Sequence, residues 1–281
     1  MTEHYNYSII IPYRDKYDLL QKAVDSIPER KDIQIIIIDN SNIALAVDKV
    51  PRKQTATVLF LTSDPTMGAG RARNEGLKHV EGRWLLFLDA DDYFTSNAFA
   101  AFDLYLQSEY DIIFFDADSI QLASGSRSNR HKTIHQLINT YIKTGNEDPL
   151  RYQFINPIGK MMKTDFVINN GIIFDEIPVS NDAWFSVMAG HAAKKITADV
   201  SIVYMITSGE KGSSLTQNRT RENWFTRFKV MVRINQFLKS TGKYKYRIRL
   251  LGGLRIAWRE FGFKEFLHFF KYAHDNKVGI F

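Results

Sequence analysis

The 281-residue chain is 44% hydrophobic, enough to bury a large core in one domain carrying an appendage. It has no cysteine, which excludes disulfides, thiolate metal sites and thiol chemistry; no apolar run approaches the ~20 residues of a membrane span, and the opening "MTEHYNYSIIIPYRD" lacks the basic start and long apolar stretch of a signal peptide, so a cytoplasmic location is expected. The net charge of +6 is unevenly placed: from Gln217 to Phe281 there are 15 Lys and Arg against 4 Asp and Glu, a balance of +11 that leaves residues 1–216 at −5, which suggests an acidic body and a basic tail with different tasks.

The first predicted strand is "YSIII" (7–11), followed directly by Pro12, Tyr13, Arg14 and Asp15. Leu19, Leu20, Ala23, Val24 and Ile27 then fall on one face at helical spacing. A second strand, "IQIIIID" (33–39), ends in Asp39, Asn40 and Ser41, a sequence that also suits an Asx turn. A third, "TVLFL" (57–61), precedes "MGAGRARNEGL" (67–77). That segment fails the dinucleotide fingerprint, because Arg73 stands where the third glycine belongs, and it fails the P-loop for want of Gly-Lys-Ser/Thr. What remains is a Gly-rich helix start with two arginines. It suits an anion and equally a solvated basic turn.

The fourth strand, "WLLFLD" (84–89), runs straight into Asp89, Asp91 and Asp92. Carboxylates two apart on an extended chain face the same side and raise each other's pKa unless a cation neutralises them. An EF-hand is excluded, since Tyr93 occupies a ligand position and the glycine is missing; zinc lacks a His or Cys cluster. Two readings of the fragment remain, a helix cap and a hard divalent ion completed by phosphates. Phe99, Phe102 and Leu106 mark a further helix, and "DIIFFDA" (111–117) a fifth strand. The strands are continuous apolar runs, not alternating ones, as in a parallel sheet covered on both faces. Strand and helix alternate, so the fold class is α/β, a Rossmann-like, mostly parallel sheet with helices on both faces. Polar residues past the C-terminal strand ends are where such sheets bind ligands.

Taken in order, "IIIPYRD", "IIIIDNS", "GAGRARNEG" and "WLLFLDADD" resemble family 2 glycosyltransferases of the GT-A fold, and "NPIGKMMKTDFVINNGIIFDEIPVSNDAWFSV" (156–187) resembles the family segment that ends in its catalytic aspartate. The resemblance covers about residues 7–207. It implies an inverting transfer from a nucleotide-sugar donor, UDP by family habit, with Mg²⁺ or Mn²⁺. It also implies a saccharide or lipid-linked saccharide acceptor in bacterial cell-surface polysaccharide or glycolipid synthesis. Pro12, Tyr13, Arg14 and Asp15 match the loop that packs on the nucleoside. Asp39 matches the carboxylate that takes a hydrogen bond from the base, Arg73 an arginine near the base and diphosphate, and Asp89 a carboxylate near the ribose. Asp91, with Asp89, matches the metal ligands. Asp182 matches the general base, although read alone it would be a helix N-cap. The residue before it is Asn181 where the family has Glu. Asp92 orients its neighbours or caps the next helix, and His191 is structural.

The Gly/Ser-rich "TSGEKGSSLTQN" (207–218) is the expected boundary and a candidate donor lid, with Lys211 as a diphosphate contact. The catalytic domain is then 1–216, its nucleotide half about 1–118 and its acceptor half about 119–207. Residues 217–281 form a helical extension in which Arg and Lys interleave with Trp and Phe. No nucleic-acid motif accompanies them. They suit either an anionic membrane surface, placing the enzyme peripherally on the inner face of the cytoplasmic membrane, or aromatic packing on the catalytic domain with solvated charges. The rival functions are a nucleotidyltransferase of sugar phosphates, whose Gly-rich loop and lysine after the first strand are missing here, and a non-catalytic membrane-surface binding protein.

Overall fold

The computed structural model describes residues 5–209 and 220–280. Eight strands form one sheet: β1 (Tyr7–Tyr13), β2 (Ile33–Asp39), β3 (Thr57–Thr62), β4 (Trp84–Phe87), β5 (Tyr93–Phe94), β6 (Ile112–Gln121), β7 (Lys160–Lys163) and β8 (Ile196–Ser208). Their order is β3-β2-β1-β4-β7-β6-β8-β5. The helices are α1 (Tyr17–Asp25), α2 (Gly68–Leu77), α3 (Ala98–Asp103), α4 (Lys132–Thr144), α5 (Asp148–Gln153), α6 (Thr164–Asn169), α7 (Asn181–Ala192), α8 (Arg221–Ser240), α9 (Leu251–Phe261) and α10 (Phe263–Asp275).

The parallel half is where the apolar runs predict it. β1 pairs with β2 and β4, and β2 with β3, all parallel. Ile9 to Ile11 and Ile35 to Ile38 are fully buried because helices cover both faces. β3 departs from that pattern: it is the edge strand and only half-buried. The sheet then changes direction. β7 runs antiparallel to β4 and β6, β8 parallel to β6, and the short β5 antiparallel to β8. The pairing of β6 with β8 slips around Asp116, a bulge that bends both strands.

The fourth strand is shorter than its apolar run. Its regular pairing ends at Phe87, Leu88 still donates to the Ile10 carbonyl, and Asp89 to Asp92 form a turn closed by Asp92 N–H to the Asp89 carbonyl at 2.9 Å. That turn feeds β5, so Asp92 does not cap α3.

The C-terminal helices pack on the body. Val230, Ile234 and Leu238 of α8 share an apolar cluster with Tyr152 of α5 and with Ala183 and Val187 of α7. On its other side α8 buries Phe228 and Val232 against Leu254 and Ala257 of α9 and Phe269 and Ala273 of α10. Lys243 pairs with Asp148 at 2.9 Å, and Arg233 with Asp175. No described helix is long and apolar enough to cross a membrane.

Candidate active site

β1, β2 and β4 run parallel, so their C-terminal ends open at one edge of the sheet. Tyr13 and Asp39 are register partners there. Asp39 is buried and accepts from Ser41 N–H (2.8 Å) and Leu45 N–H (2.6 Å), so the Asx turn forms and fixes the carboxylate. Ser41 Oγ in turn accepts from Asp15 N–H at 2.9 Å. Asp15 sits at φ 56°, a left-handed conformation uncommon for a residue with a Cβ. Arg14 and Asp15 are exposed, Pro12 is half-buried and Tyr13 is buried, its hydroxyl pKa raised by burial and by the Asp39 charge.

The second element is the acidic turn. Asp89 N–H donates to the buried Tyr204 hydroxyl of β8 at 3.0 Å, and that hydroxyl also bonds the Asp92 carboxyl. Asp92 is buried and accepts from Thr207 N–H at 2.7 Å, while Thr207 Oγ1 donates to the Asp91 carbonyl. Burial and the charges of Asp91 and Asp89 push the Asp92 pKa well up. Its role is therefore to clamp the turn onto β8, the orienting half of its expected part. Asp91 differs. It is exposed to the cleft, yet the protein around it and the neighbouring Asp89 raise its pKa, while Arg130 and Lys16 act to lower it. No described cation lies within ion-pair distance of its carboxylate. Arg130 is anchored by donating to the Thr207 carbonyl at 2.6 Å.

The third element brings α2 and α7 together. Arg73 is buried; its Nη2 donates to Asp89 Oδ1 at 2.5 Å and its Nη1 to Asn181 Oδ1 at 3.0 Å. Its guanidinium lies 5.3 Å from the Phe174 ring, which stacks on Phe185. The glycines before it serve packing. A Cβ on Gly70 would stand 2.0 Å from the Asp175 carbonyl oxygen, and Gly68, at φ 71°, lies against Ile177. The segment 175–178 thus covers the Gly-rich turn, which is a backbone crossing and not an open anion cradle.

Asp182 lies in the first turn of α7, and Ser180, not Asp182, is the N-cap, at φ 55°. The half-buried Asp182 carboxyl has its pKa raised by burial, opposed by Arg73 and Lys160 and reinforced by Asp89. Lys160 is buried at the start of β7, donates to the Phe154 carbonyl at 2.7 Å and lies over the Phe154 and Phe114 rings; burial lowers its pKa to about 7, with Asp182 opposing. His191 is structural as expected, packed between Tyr152 and Phe237.

The cleft therefore joins Asp89, Asp91, Arg73 and Asp182. Sequence reasoning missed Lys16, Arg130, Lys160, Tyr204 and Thr207 at this site. Lys160 carried a signal, a lone ammonium in the otherwise uncharged "IGKMM"; Tyr204 and Thr207 carried none, lying on a strand that was not predicted. Lys211 lies outside the described residues. Among the described residues no group of three or more His, Cys, Asp or Glu converges as a ready metal cage. Asp89 and Asp91 nevertheless fit a hard ion that takes one or two carboxylates and finds its remaining ligands on a substrate phosphate.

The model of Glycosyl transferase family 2 matches residues 8–170. The minor teichoic acid biosynthesis protein GgaB of Bacillus subtilis (strain 168) is 27% identical over 234 residues, covering 79% of this chain and 25% of GgaB, so the chain spans only a quarter of that relative. The UDP-Glc:alpha-D-GlcNAc-diphosphoundecaprenol beta-1,3-glucosyltransferase WfaP of Escherichia coli is 25% identical over 259 residues, 86% of this chain and 89% of WfaP. Among solved structures, S. aureus TarS 1-349 in complex with UDP-GlcNAc superposes with a TM-score of 0.68 at 16% identity, covering 96% of this chain and 81% of that one, a likeness of fold that agrees with the expected GT-A architecture. The family match extends over more than half of the sequence, and the chain belongs to glycosyl transferase family 2.

Proposed function

We propose that this protein moves a sugar from a nucleoside-diphosphate sugar to an acceptor hydroxyl, with inversion at the anomeric carbon. The observation that carries this reading is the Arg73 bridge: it ties the acidic turn after β4 to the start of α7, so that the carboxylate pair and Asp182 share one cleft. The loop Pro12 to Asp15 and the carboxylate of Asp39 lie together at the ends of β1 and β2 and would receive the nucleoside. Asp89 and Asp91 would hold Mg²⁺ or Mn²⁺, which when bound supplies positive charge to the donor's diphosphate.

In the transfer, Asp182 accepts the proton of the acceptor hydroxyl. The hydroxyl oxygen forms its bond to the anomeric carbon as the bond from that carbon to the diphosphate oxygen breaks, and the electron pair departs with the nucleoside diphosphate. Lys16 and Arg130 are close enough for their charges to lower the Asp91 pKa and would meet the charge that grows on the leaving diphosphate. Arg73, buried, sets the orientation of Asp89. Burial raises the pKa of Asp182, which makes it a better proton acceptor than an ordinary carboxylate.

The likeness to WfaP, a UDP-glucose-dependent enzyme acting on a diphosphoundecaprenol-linked sugar, supports UDP as the nucleotide and a diphosphate-linked lipid saccharide as the acceptor class, and the likeness to GgaB, a teichoic acid biosynthesis protein, supports a role in cell-surface glycan synthesis. Residues 1–216 would carry the chemistry and residues 217–281 buttress α7. The test is a screen of UDP-sugars with a lipid-diphosphate-linked N-acetylglucosamine acceptor, with and without Mg²⁺ or Mn²⁺. Release of UDP in step with a glycosylated product supports the reading; release of pyrophosphate from a sugar phosphate and a nucleoside triphosphate overturns it.

A further inference from the structure

The apolar arc of α10 is wider than the part that the fold covers. Phe269 and Ala273 are buried against α8 and α9. Phe263, Leu267 and Phe270 recur at spacings of four and three, which puts them on one helical face, and they are 57%, 49% and 41% exposed. Trp258 of α9, 57% exposed, extends the same patch. Its ring lies 6.3 Å from Phe263 and 6.1 Å from Phe266, Phe263 stacks on Phe266 at 5.7 Å, and Phe266 lies 6.2 Å from Phe270. Monomeric proteins seldom leave large side chains contiguous on the surface without a partner.

The exposed charges around the patch are mainly basic, four cations against Glu260, while Glu265 is paired with Arg221. Lys264 is adjacent in sequence to Phe263, Lys271 to Phe270 and Arg259 to Trp258, and Arg255 lies one helical turn before Trp258; all four are exposed. A helix that offers Trp, Phe and Leu between basic side chains, and that is too short and too charged to span, suits the boundary between headgroups and acyl chains. A protein partner of ordinary composition would leave these cations unmatched, whereas an anionic bilayer matches them along the whole face.

We infer that the α9–α10 face formed by Trp258, Phe263, Leu267 and Phe270, with Arg255, Arg259, Lys264 and Lys271 around it, docks this protein on anionic lipid bilayers. The face is built from residues remote in sequence from the catalytic cleft, and binding is read without turnover, so the inference stands or falls separately from the proposed reaction.

The test is co-sedimentation of the full chain with vesicles of phosphatidylcholine alone and of phosphatidylcholine mixed with phosphatidylglycerol, at low and high salt. Binding is expected only to the mixed vesicles, weakening as salt rises. Phe263→Ser with Leu267→Ser and Phe270→Ser should lower the partition coefficient by about tenfold or more. The charge variant Arg255→Glu, Arg259→Glu, Lys264→Glu, Lys271→Glu alters exposed side chains only and should abolish binding while the melting temperature stays within a few degrees of the unaltered chain. Three results overturn the inference: no binding to either vesicle, equal binding to both, or a dimer in light scattering that the triple serine variant dissociates while vesicle binding is absent throughout.

Discussion

Arg73 holds Asp89 through a 2.5 Å ion pair made by a buried guanidinium, and the same guanidinium reaches Asn181 across 108 positions of sequence. One side chain thereby sets the distance between the carboxylates after β4 and the first turn of α7. A Glu at the Asn181 position would compete with Asp89 for that guanidinium; the amide accepts one bond and leaves the ion pair intact.

Arg73→Met should therefore cost stability and geometry together. Leaving Asp89 without its partner costs about 2 kcal/mol, read as a lower midpoint in urea. Turnover should fall more than nucleotide affinity if Asp182 is the base, because the acidic turn and the start of α7 lose their common anchor. A variant with unchanged stability and unchanged turnover would show that the bridge is incidental.

Gly70→Ala tests the crossing of segment 175–178 over α2. The added Cβ would meet the Asp175 carbonyl oxygen at 2.0 Å, so backbone must shift and stability should drop by about 1–3 kcal/mol or more. Gly252→Ala, in α9 with open space around the new Cβ, is the control and should stabilise by about 0.5–1 kcal/mol. Equal effects of the two in thermal unfolding would contradict the packing described.

The parallel half of the sheet was legible because Ile9 to Ile11 and Ile35 to Ile38 are unbroken apolar runs that can only be buried on both faces. The antiparallel half was not. β7 offers two methionines between lysines, and β8 is interrupted by Asp199 and Ser201 opposite the bulge at Asp116, so neither shows a clean period. The acidic turn stood out as a cluster of like charges with no neutralising neighbour in sequence. Its supports did not, since Tyr204 and Thr207 reach it only through tertiary pairing. The packing role of the glycines in "GAGR" was not legible for the same reason, as their contact lies about a hundred residues away.

Lys160 gives a pH dependence with a defined sign. Burial lowers its pKa to about 7, whereas an unfolded lysine titrates near ~10.4. Between these values the unfolded chain binds more protons, so folding stability must rise with pH across that window. Lys160→Met removes the contribution, and the difference in unfolding free energy between the two proteins should change by roughly 2–4 kcal/mol from pH 7 to about 10. Parallel curves would mean that Lys160 is not buried as described. The same variant removes a charge that lowers the Asp182 pKa, so the acid limb of kcat/KM should move to higher pH.

Asp91→Ala should abolish the effect of divalent ions on UDP binding. Calorimetry on the unaltered chain should show Mg²⁺ or Mn²⁺ tightening UDP, and the variant should bind UDP with the metal-free affinity whether or not the ion is present. Metal-dependent affinity that survives the substitution would remove Asp91 from the ion site.

The central claim is that Asp182 is the base and that the donor is held elsewhere in the cleft. The most direct measurement compares transfer and UDP affinity in Asp182→Asn, which keeps the shape and loses the proton acceptor. Transfer is predicted to fall by ~10²–10⁴ while the Kd for UDP in the presence of Mg²⁺ or Mn²⁺ stays near that of the unaltered chain. Asp182 is not at the N-cap position of α7, which Ser180 occupies, so the substitution should also leave the melting temperature nearly unchanged. An Asp182→Asn enzyme that turns over normally, or one that loses UDP binding along with transfer, would contradict the account.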